Sequence, residues 1–269
     1  MIYLDNAATS WPKPEAVYQS MDSFMRHVGA SPGRSAHHLS IEAGRIVYET
    51  REALAQLFGT DDPKRIIFTS NATEALNLAL RGMLHPGDHV VTSSMEHNSV
   101  MRPLRAFESK GVEITMVNCS LEGFLNPQNI ERAIKPNTKL ITLNHASNVV
   151  GTVLPVAEVG QIARRHEISF LVDAAQTAGC YPVDVKAMNI DLLSFSGHKI
   201  YGPKGIGGLY VRRKNPKVKV SPIMFGGGQE KGLRSGTLNV PAIVGFGEAC
   251  EIAQREMDME SARTSRLRD

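Results

Sequence analysis

The chain is poor in the features that mark secreted and membrane proteins. It has three cysteines in 269 residues, without CxxC spacing, which is typical of a reducing compartment. No apolar run approaches the roughly 20 residues that a membrane-spanning helix needs. The N-terminal sequence MIYLDNAATSW has no basic region and carries Asp5 early, unlike a signal peptide. We therefore expect a cytoplasmic protein.

The sequence also has neither a large net charge nor histidines and cysteines at the spacing of metal ligands. The formal net charge is +3 and the basic residues are scattered, so the composition gives no reason to expect a nucleic-acid partner. His37 and His38 are adjacent rather than four residues apart, and we interpret them as a loop pair that holds no metal. An apolar content of 42% is ordinary for a globular protein.

What the chain does contain is a regular alternation of strand and helix patterns. Short apolar runs predict seven strands, at 65–69, 89–93, 113–117, 140–144, 169–172, 192–194 and 208–211. Helical spacing of apolar residues predicts helices at 41–58, 74–84, 100–110, 127–134, 156–166 and 241–268. Because most strands are apolar on both faces, we predict an α/β fold with a mostly parallel seven-stranded sheet flanked by helices.

The predicted organisation is one large domain followed by a connecting helix. Residues 1–240 form the large domain, with an N-terminal segment at 1–35, and 241–269 form a helix that leads toward a further, C-terminal domain. Ligands of parallel sheets bind beyond the carboxyl ends of the strands. That rule places several polar residues along one edge of the sheet: Ser70–Thr73, Glu96, His97, Asn148, Asp173, His198 and Lys199.

Two of these residues carry the chemistry of one cofactor. Asp173 ends one apolar strand, and Lys199 follows another in SFSGHKIYGPKGIGG. Pyridoxal phosphate needs an acid partner for its ring nitrogen and a neutral lysine amine for its carbonyl group. Taken separately, Asp173 could cap a helix and Lys199 could be a surface lysine; together they predict pyridoxal phosphate.

Further residues suit the other groups of that cofactor. The segment SNATE at 70–74 has capping-box spacing after a strand, so the backbone of Ala72 and Thr73 could hold a phosphate, or could simply start a helix. Ser196 and His198 could add donors to the same phosphate. His97, Asn148 and Gln176 could contact the cofactor ring and its phenolate oxygen. Thr237 lies in a polar, Gly-rich loop that could bind a ligand or could equally be a mobile surface loop.

The motifs together resemble the class V aminotransferase fold of pyridoxal phosphate enzymes, and within it the cysteine desulfurases and selenocysteine lyases. The resemblance covers nearly the whole chain and includes YLDNAATSWP, SNATEALN, EHNSV, HASNVVGT, VDAAQTAG, SFSGHKIYGPKGIGGLYV and RSGT in the family's order. It implies the large domain of a fold type I transferase and a reaction that converts L-cysteine to L-alanine, with the sulfur passed as persulfide to an acceptor protein. Another reaction on the same fold, or a non-catalytic cofactor-binding remnant, is the alternative.

The resemblance also implies a role for each candidate residue. Lys199 would be the Schiff-base lysine, and His97 would stack on the cofactor ring. Asp173 would contact the ring nitrogen, while Gln176 and Asn148 would contact its phenolate side. Four residues would bind the phosphate: Ala72, Thr73, Ser196 and His198. In the family, the threonine that matches Thr237 reaches the phosphate in the other subunit, which implies a homodimer with shared sites.

One part of the family pattern has no counterpart in the chain. The persulfide-forming cysteine and the arginine that binds the substrate carboxylate belong to a C-terminal domain of the family. Cys119, Cys180 and Cys250 all lie elsewhere. A desulfurase needs a thiolate to attack the substrate sulfur. We therefore expect the 269-residue chain by itself to be weakly active or inactive.

Overall fold

The seven predicted strands form one sheet in a computed structural model that describes residues 2–33, 36–213 and 217–269. Met1, Arg34 and Ser35, which fall in the predicted N-terminal segment, lie outside the described residues. The strands are β1 (Ile66–Thr69), β2 (His89–Ser93), β3 (Glu113–Val117), β4 (Thr138–Asn144), β5 (Ser169–Asp173), β6 (Leu192–Ser196) and β7 (Gly207–Val211). The structure thus confirms the predicted α/β sheet, with small shifts of the strand ends.

The strand order is β1-β7-β6-β5-β4-β2-β3. Strands β3, β2, β4, β5 and β6 are mutually parallel, and β7 runs antiparallel to both β6 and β1. Asn144 of β4 pairs with Asp173 of β5, and Asp173 pairs with Ser194 of β6. This register brings the ends of three neighbouring strands to one edge of the sheet.

In the part of the chain that the structure describes, seven α-helices surround the sheet. They are α1 (Glu15–His27), α2 (His38–Leu57), α3 (Ala72–Met83), α4 (Asn98–Glu108), α5 (Pro127–Arg132), α6 (Val156–Arg165) and α7 (Val240–Arg268). The sequence analysis missed α1, whose buried side chains Val17 and Phe24 lie two turns apart on one face. The histidine pair is not in a loop: His38 begins α2, and the ring of His37 accepts a hydrogen bond from the Ser40 N–H at 3.3 Å.

Both faces of the sheet are buried except at the edge strand β3, which explains why most strands are continuously apolar. Successive residues of β1 point into different cores, since Ile66 and Phe68 lie in one apolar cluster and Ile67 in the other. One cluster packs the sheet against α2, α6 and α7, and the second packs it against α3 and α4. Helices on both sides therefore leave the strand ends and the edge strand β3 as the accessible parts of the sheet.

Helix α7 packs against α1 and α2 through its first half, where Ile243, Phe246 and Cys250 are fully buried. Its second half is mostly exposed. The division of the chain near residue 240 remains a prediction. Within the described residues, no helix is both long enough and apolar enough to cross a membrane.

Candidate functional site

A polar pocket lies at the carboxyl ends of β2, β4, β5 and β6, at the edge that the sequence analysis selected. It brings together nine of the ten predicted cofactor-binding residues: Ala72, Thr73, His97, Asn148, Asp173, Gln176, Ser196, His198 and Lys199. Asn71, Ser99, Asn144, Ala146 and Ala175 complete its wall. Residues distant in the sequence meet here because parallel strands end at the same edge.

The acid of the pocket, Asp173, is the last residue of β5 and is only 6% exposed. Its Oδ1 accepts hydrogen bonds from the Ala175 N–H and the Ser194 hydroxyl, both at 3.0 Å. Burial raises the pKa of Asp173, while these hydrogen bonds and the nearby His97 and Lys199 oppose that shift. The carboxyl group is therefore oriented by the sheet and poised to interact with a cation.

The amine of the pocket, Lys199, lies in a 3₁₀ turn directly after β6. Its Nζ donates a hydrogen bond to the Ala7 carbonyl oxygen. Burial lowers the pKa of Lys199, against the opposite effect of Asp173 and Asp5. A lowered pKa increases the neutral fraction of the amine, which is the form that reacts with a carbonyl carbon.

The turn around Lys199 is held by the N-terminal segment of the chain. The His198 carbonyl oxygen accepts hydrogen bonds from the Ser10 N–H at 3.0 Å and the Ser10 hydroxyl at 2.8 Å. The His198 ring contacts the Thr9 hydroxyl through Nδ1 at 3.1 Å. Burial and then three nearby lysines lower the pKa of His198 to about 4, so its imidazole is neutral at physiological pH.

One wall of the pocket is the start of α3, where Asn71 caps the helix at the predicted spacing, but the Glu74 carboxylate reaches back to the N–H of Ser70 rather than to that of Asn71. The Asn71 Oδ1 accepts from the Glu74 N–H at 2.9 Å, and the Glu74 carboxylate accepts from the Ser70 N–H at 2.6 Å. The Arg234 guanidinium forms a salt bridge with the Glu74 carboxylate, with Nε 2.8 Å from Oε1, and holds the carboxylate in this position. These hydrogen bonds occupy the N–H groups of Ser70 and Glu74. Ala72 and Thr73, in the first turn of α3, therefore present the positive end of the helix dipole to the pocket.

His97, at the opposite wall, also caps a helix. Its Nδ1 accepts the Ser99 N–H of α4 at 3.1 Å and contacts the Ser99 hydroxyl. Because Nδ1 is an acceptor there, a neutral His97 carries its proton on Nε2.

The Gln176 amide donates a hydrogen bond to the Ala7 carbonyl oxygen at 3.0 Å, the same oxygen that accepts from Lys199 Nζ.

Thr237 is the predicted residue that the structure does not bring to this pocket. It lines a separate depression with Ser70, Gly205 and Arg234 on the other side of the α3 cap.

The three cysteines, all in the described part of the chain, also lie outside the pocket. Burial raises the pKa of both Cys119 and Cys250, which keeps these thiols protonated at neutral pH.

Sequence reasoning missed several contributors. Ala7, Thr9 and Ser10 hold the lysine turn, and Asn144 lines the pocket behind Asp173. The only signal for the first three was their place in the N-terminal motif YLDNAATSWP. Glu96 was placed at the correct edge of the sheet but was assigned no role.

A mostly parallel seven-stranded sheet with an acid and a lysine at the ends of neighbouring strands defines the large domain of fold type I, the fold of pyridoxal phosphate-dependent transferases. Comparison with known proteins narrows this class. The family model for aminotransferase class-V matches residues 2–268, and the chain belongs to that family.

Its relatives and structural neighbours carry related names. The chain is 44% identical to "Cysteine desulfurase IscS" of Glaesserella parasuis serovar 5 over 274 residues, which cover 100% of this chain and 67% of that protein. A solved structure described as "NIFS-LIKE PROTEIN" superposes with a TM-score of 0.93 at 35% identity and covers 99% of this chain and 73% of the other. A second, "SspA in complex with cysteine", has a TM-score of 0.87 at 41% identity and covers 93% and 72% of the two chains. The chain thus spans about two thirds of the length of this relative.

Proposed function

We propose that this chain is the cofactor-binding part of a pyridoxal phosphate-dependent cysteine desulfurase. The observation that carries the proposal is the pairing of a buried carboxyl group, Asp173, with a lysine of lowered pKa, Lys199, in one pocket. The names of the relatives and the cysteine-bound neighbour support cysteine as the substrate.

The polar groups of the pocket fit the charges of the cofactor. The Ser196 Oγ is buried and has no hydrogen-bond partner among the described residues, beside the start of α3. A buried hydroxyl left unpaired costs free energy, and a phosphate oxygen would satisfy it. With Ala72, Thr73 and His198, Ser196 would hold the phosphate; a neutral His198 can donate one hydrogen bond to it.

The other end of the pocket would orient the ring. Asp173, held at Oδ1 by two donors, would face the ring nitrogen as an anion. His97 would lie against the ring, with Gln176 and Asn148 at its phenolate oxygen. When bound, pyridoxal phosphate supplies an electrophilic carbonyl carbon and a ring that withdraws electrons from the substrate.

The residues of the chain would then move protons around the substrate. Lys199 Nζ, when uncharged, can accept a proton from the substrate and return it, since a lowered pKa brings the amine closer to neutral pH. His97 offers its Nε2 for a second transfer because Nδ1 is engaged by α4. Cleavage of the carbon–sulfur bond also needs a thiolate nucleophile that becomes the persulfide.

None of the thiols described here lines the pocket, so we propose that the nucleophile comes from a cysteine other than Cys119, Cys180 and Cys250, and that the sulfur passes to an acceptor protein. Thr237 lies outside the pocket of its own chain, on a loop at the surface. We propose that it completes the phosphate site of a second copy, which makes the functional unit a homodimer.

The test combines absorbance with product analysis. The purified chain, mixed with pyridoxal phosphate, should develop the yellow band of lysine-bound cofactor, and Lys199→Ala should lack it. We expect little alanine or sulfide from cysteine with the 269-residue chain. A colourless protein would refute the cofactor assignment. Rapid sulfide release would refute the need for another cysteine, and release of other products would indicate a different reaction on this fold.

A further inference from the structure

Glu96 joins the turn after β2 to the end of β4 directly behind the pocket. Its Oε1 accepts hydrogen bonds from the Ser93 hydroxyl at 2.7 Å and from the Asn144 N–H at 3.0 Å. Asn144 in return donates from its amide to the Met95 carbonyl oxygen at 2.8 Å. Two hydrogen bonds in opposite directions therefore bind the turn that carries His97 to the strand that lies beside Asp173.

The second oxygen of this carboxyl group is in a different situation. Although the Glu96 residue as a whole is half-buried, its Oε2 is inaccessible to solvent and has no hydrogen-bond partner among the described residues. The Oδ1 of Asn144 is buried and unpaired in the same way. A buried anionic oxygen without a donor is strongly unfavourable, whereas a protonated oxygen is neutral and becomes a donor itself.

The charges around Glu96 favour the protonated form. Asp173 on β5 acts on it as a like charge, whereas Cys119, in the segment after β3, is a protonated thiol that brings no positive charge to it. No lysine or arginine in the described part of the chain forms an ion pair with Glu96. Burial, and to a smaller extent Asp173, raises the pKa of Glu96 to about 8 against the two hydrogen bonds that lower it.

We propose that Glu96 is a positioning residue that is held as an uncharged carboxylic acid, so that Asp173 carries the negative charge at this edge of the pocket. The uncharged acid keeps the hydrogen bonds to Ser93 and Asn144 without adding a second buried anion beside the first. The consequence for the cofactor rests on the proposed function, because it concerns the partner of the ring nitrogen. The protonation state does not depend on it.

The pH dependence of stability tests the protonation state without cofactor. In the unfolded chain Glu96 ionises near its ordinary pKa, so folding takes up a proton between that pH and about pH 8. Relative to the Glu96→Gln variant, the unfolding constant of the wild type should rise up to about tenfold per pH unit in this window. The comparison removes the contribution of the groups that do not interact with Glu96, which titrate alike in both proteins.

Urea unfolding of both proteins at pH 5, 6, 7 and 8 measures this difference. Glu52→Gln, which removes an exposed carboxyl group of α2, is the matched control and should show a constant difference from the wild type. A constant difference for Glu96→Gln as well would overturn the proposal. If that variant fails to fold, carbon NMR of the Glu96 carboxyl group in the wild type decides, since titration near an ordinary glutamate pKa refutes the uncharged state.

Cofactor binding tests the positioning role. Glu96→Gln imitates the neutral acid and should bind pyridoxal phosphate like the wild type, whereas the shorter Glu96→Asp cannot span from the turn to Asn144 and should bind it more weakly. Equal weakening by both variants would contradict this role. A wild type that binds no pyridoxal phosphate would refute the proposed function, and the stability measurement would still judge Glu96.

Discussion

The loop that carries Thr237 depends on one buried ion pair, and this dependence can be measured. The Glu230 side chain is 1% exposed, and its carboxylate binds the Arg51 guanidinium, which is 15% exposed. The same carboxylate accepts the Phe68 N–H of β1 at 2.8 Å. Glu230 therefore connects the loop before α7 to both α2 and the edge strand of the sheet.

Replacing Glu230 by alanine should cost about 3–5 kcal/mol of unfolding free energy, because it leaves the Arg51 charge in a largely buried place without its partner. The Phe68 N–H loses its acceptor as well, which belongs to the same penalty and is not added to it. At roughly 2–4 °C per kcal/mol for a chain of this size, the midpoint of thermal unfolding should fall by about 10 °C.

Chemical denaturation of Glu230→Ala and the wild type tests this magnitude. Glu42→Ala removes one carboxylate from the exposed pair with Arg45 and should cost far less than Glu230→Ala, because water screens an exposed pair. The double variant Arg51→Met with Glu230→Leu removes both charges and should recover most of the loss. A cost below about 1 kcal/mol for Glu230→Ala would refute our reading of the pair as a buried anchor.

Three further predictions concern the pocket and its surroundings. In Gly207→Ala the new Cβ would lie 2.6 Å from the Phe195 carbonyl oxygen and 2.8 Å from the Asn71 backbone, and so pyridoxal phosphate binding, measured by absorbance, should weaken. Gly228→Ala is the control and should not change binding, because a Cβ at Gly228 would meet no atom within 4 Å. Asn71→Ala removes the cap of α3 and should lower the unfolding free energy by about 1 kcal/mol, while Asn71→Asp should retain it; equal losses would contradict a capping role. Burial lowers the pKa of His145 to about 4, and so the folded protein should lose stability as the pH falls from about 6.5 toward 4, by up to roughly 3 kcal/mol from this group. Urea unfolding across this range should show a smaller loss in His145→Gln, and an unchanged slope would refute the assignment.

The strands and most helices could be predicted because both faces of this sheet are buried. A strand such as β5, with Phe170, Leu171 and Val172 all fully buried, is recognisable as a continuous apolar run. Helix α1 was missed although Val17, Met21 and Phe24 have helical spacing, so the signal was present in the sequence. Its stability comes from packing against α7, which is more than 200 residues away in the chain.

The residues of the candidate site likewise include some that the sequence could predict and some that it could not. Residues that follow a strand end, such as Asp173 and Lys199, could be placed together from the sequence because parallel strands end at one edge. Ala7 acts through its carbonyl oxygen, and a backbone group has no side-chain signature. The polarity of Glu96 was visible, but its role depends on how completely its Oε2 is buried.

The amino-acid sequence by itself determined the α/β class, the edge of the sheet where the pocket forms, and the acid and amine that characterise it, because these follow from local pattern and strand order. The tertiary structure decided which of the candidates share a pocket, since Thr237 lies apart from the other nine. It also shifted the pKa values of those that do: burial lowers the pKa of Lys199 and raises that of Asp173. Burial depends on contacts between distant parts of the chain, and these exist only after folding.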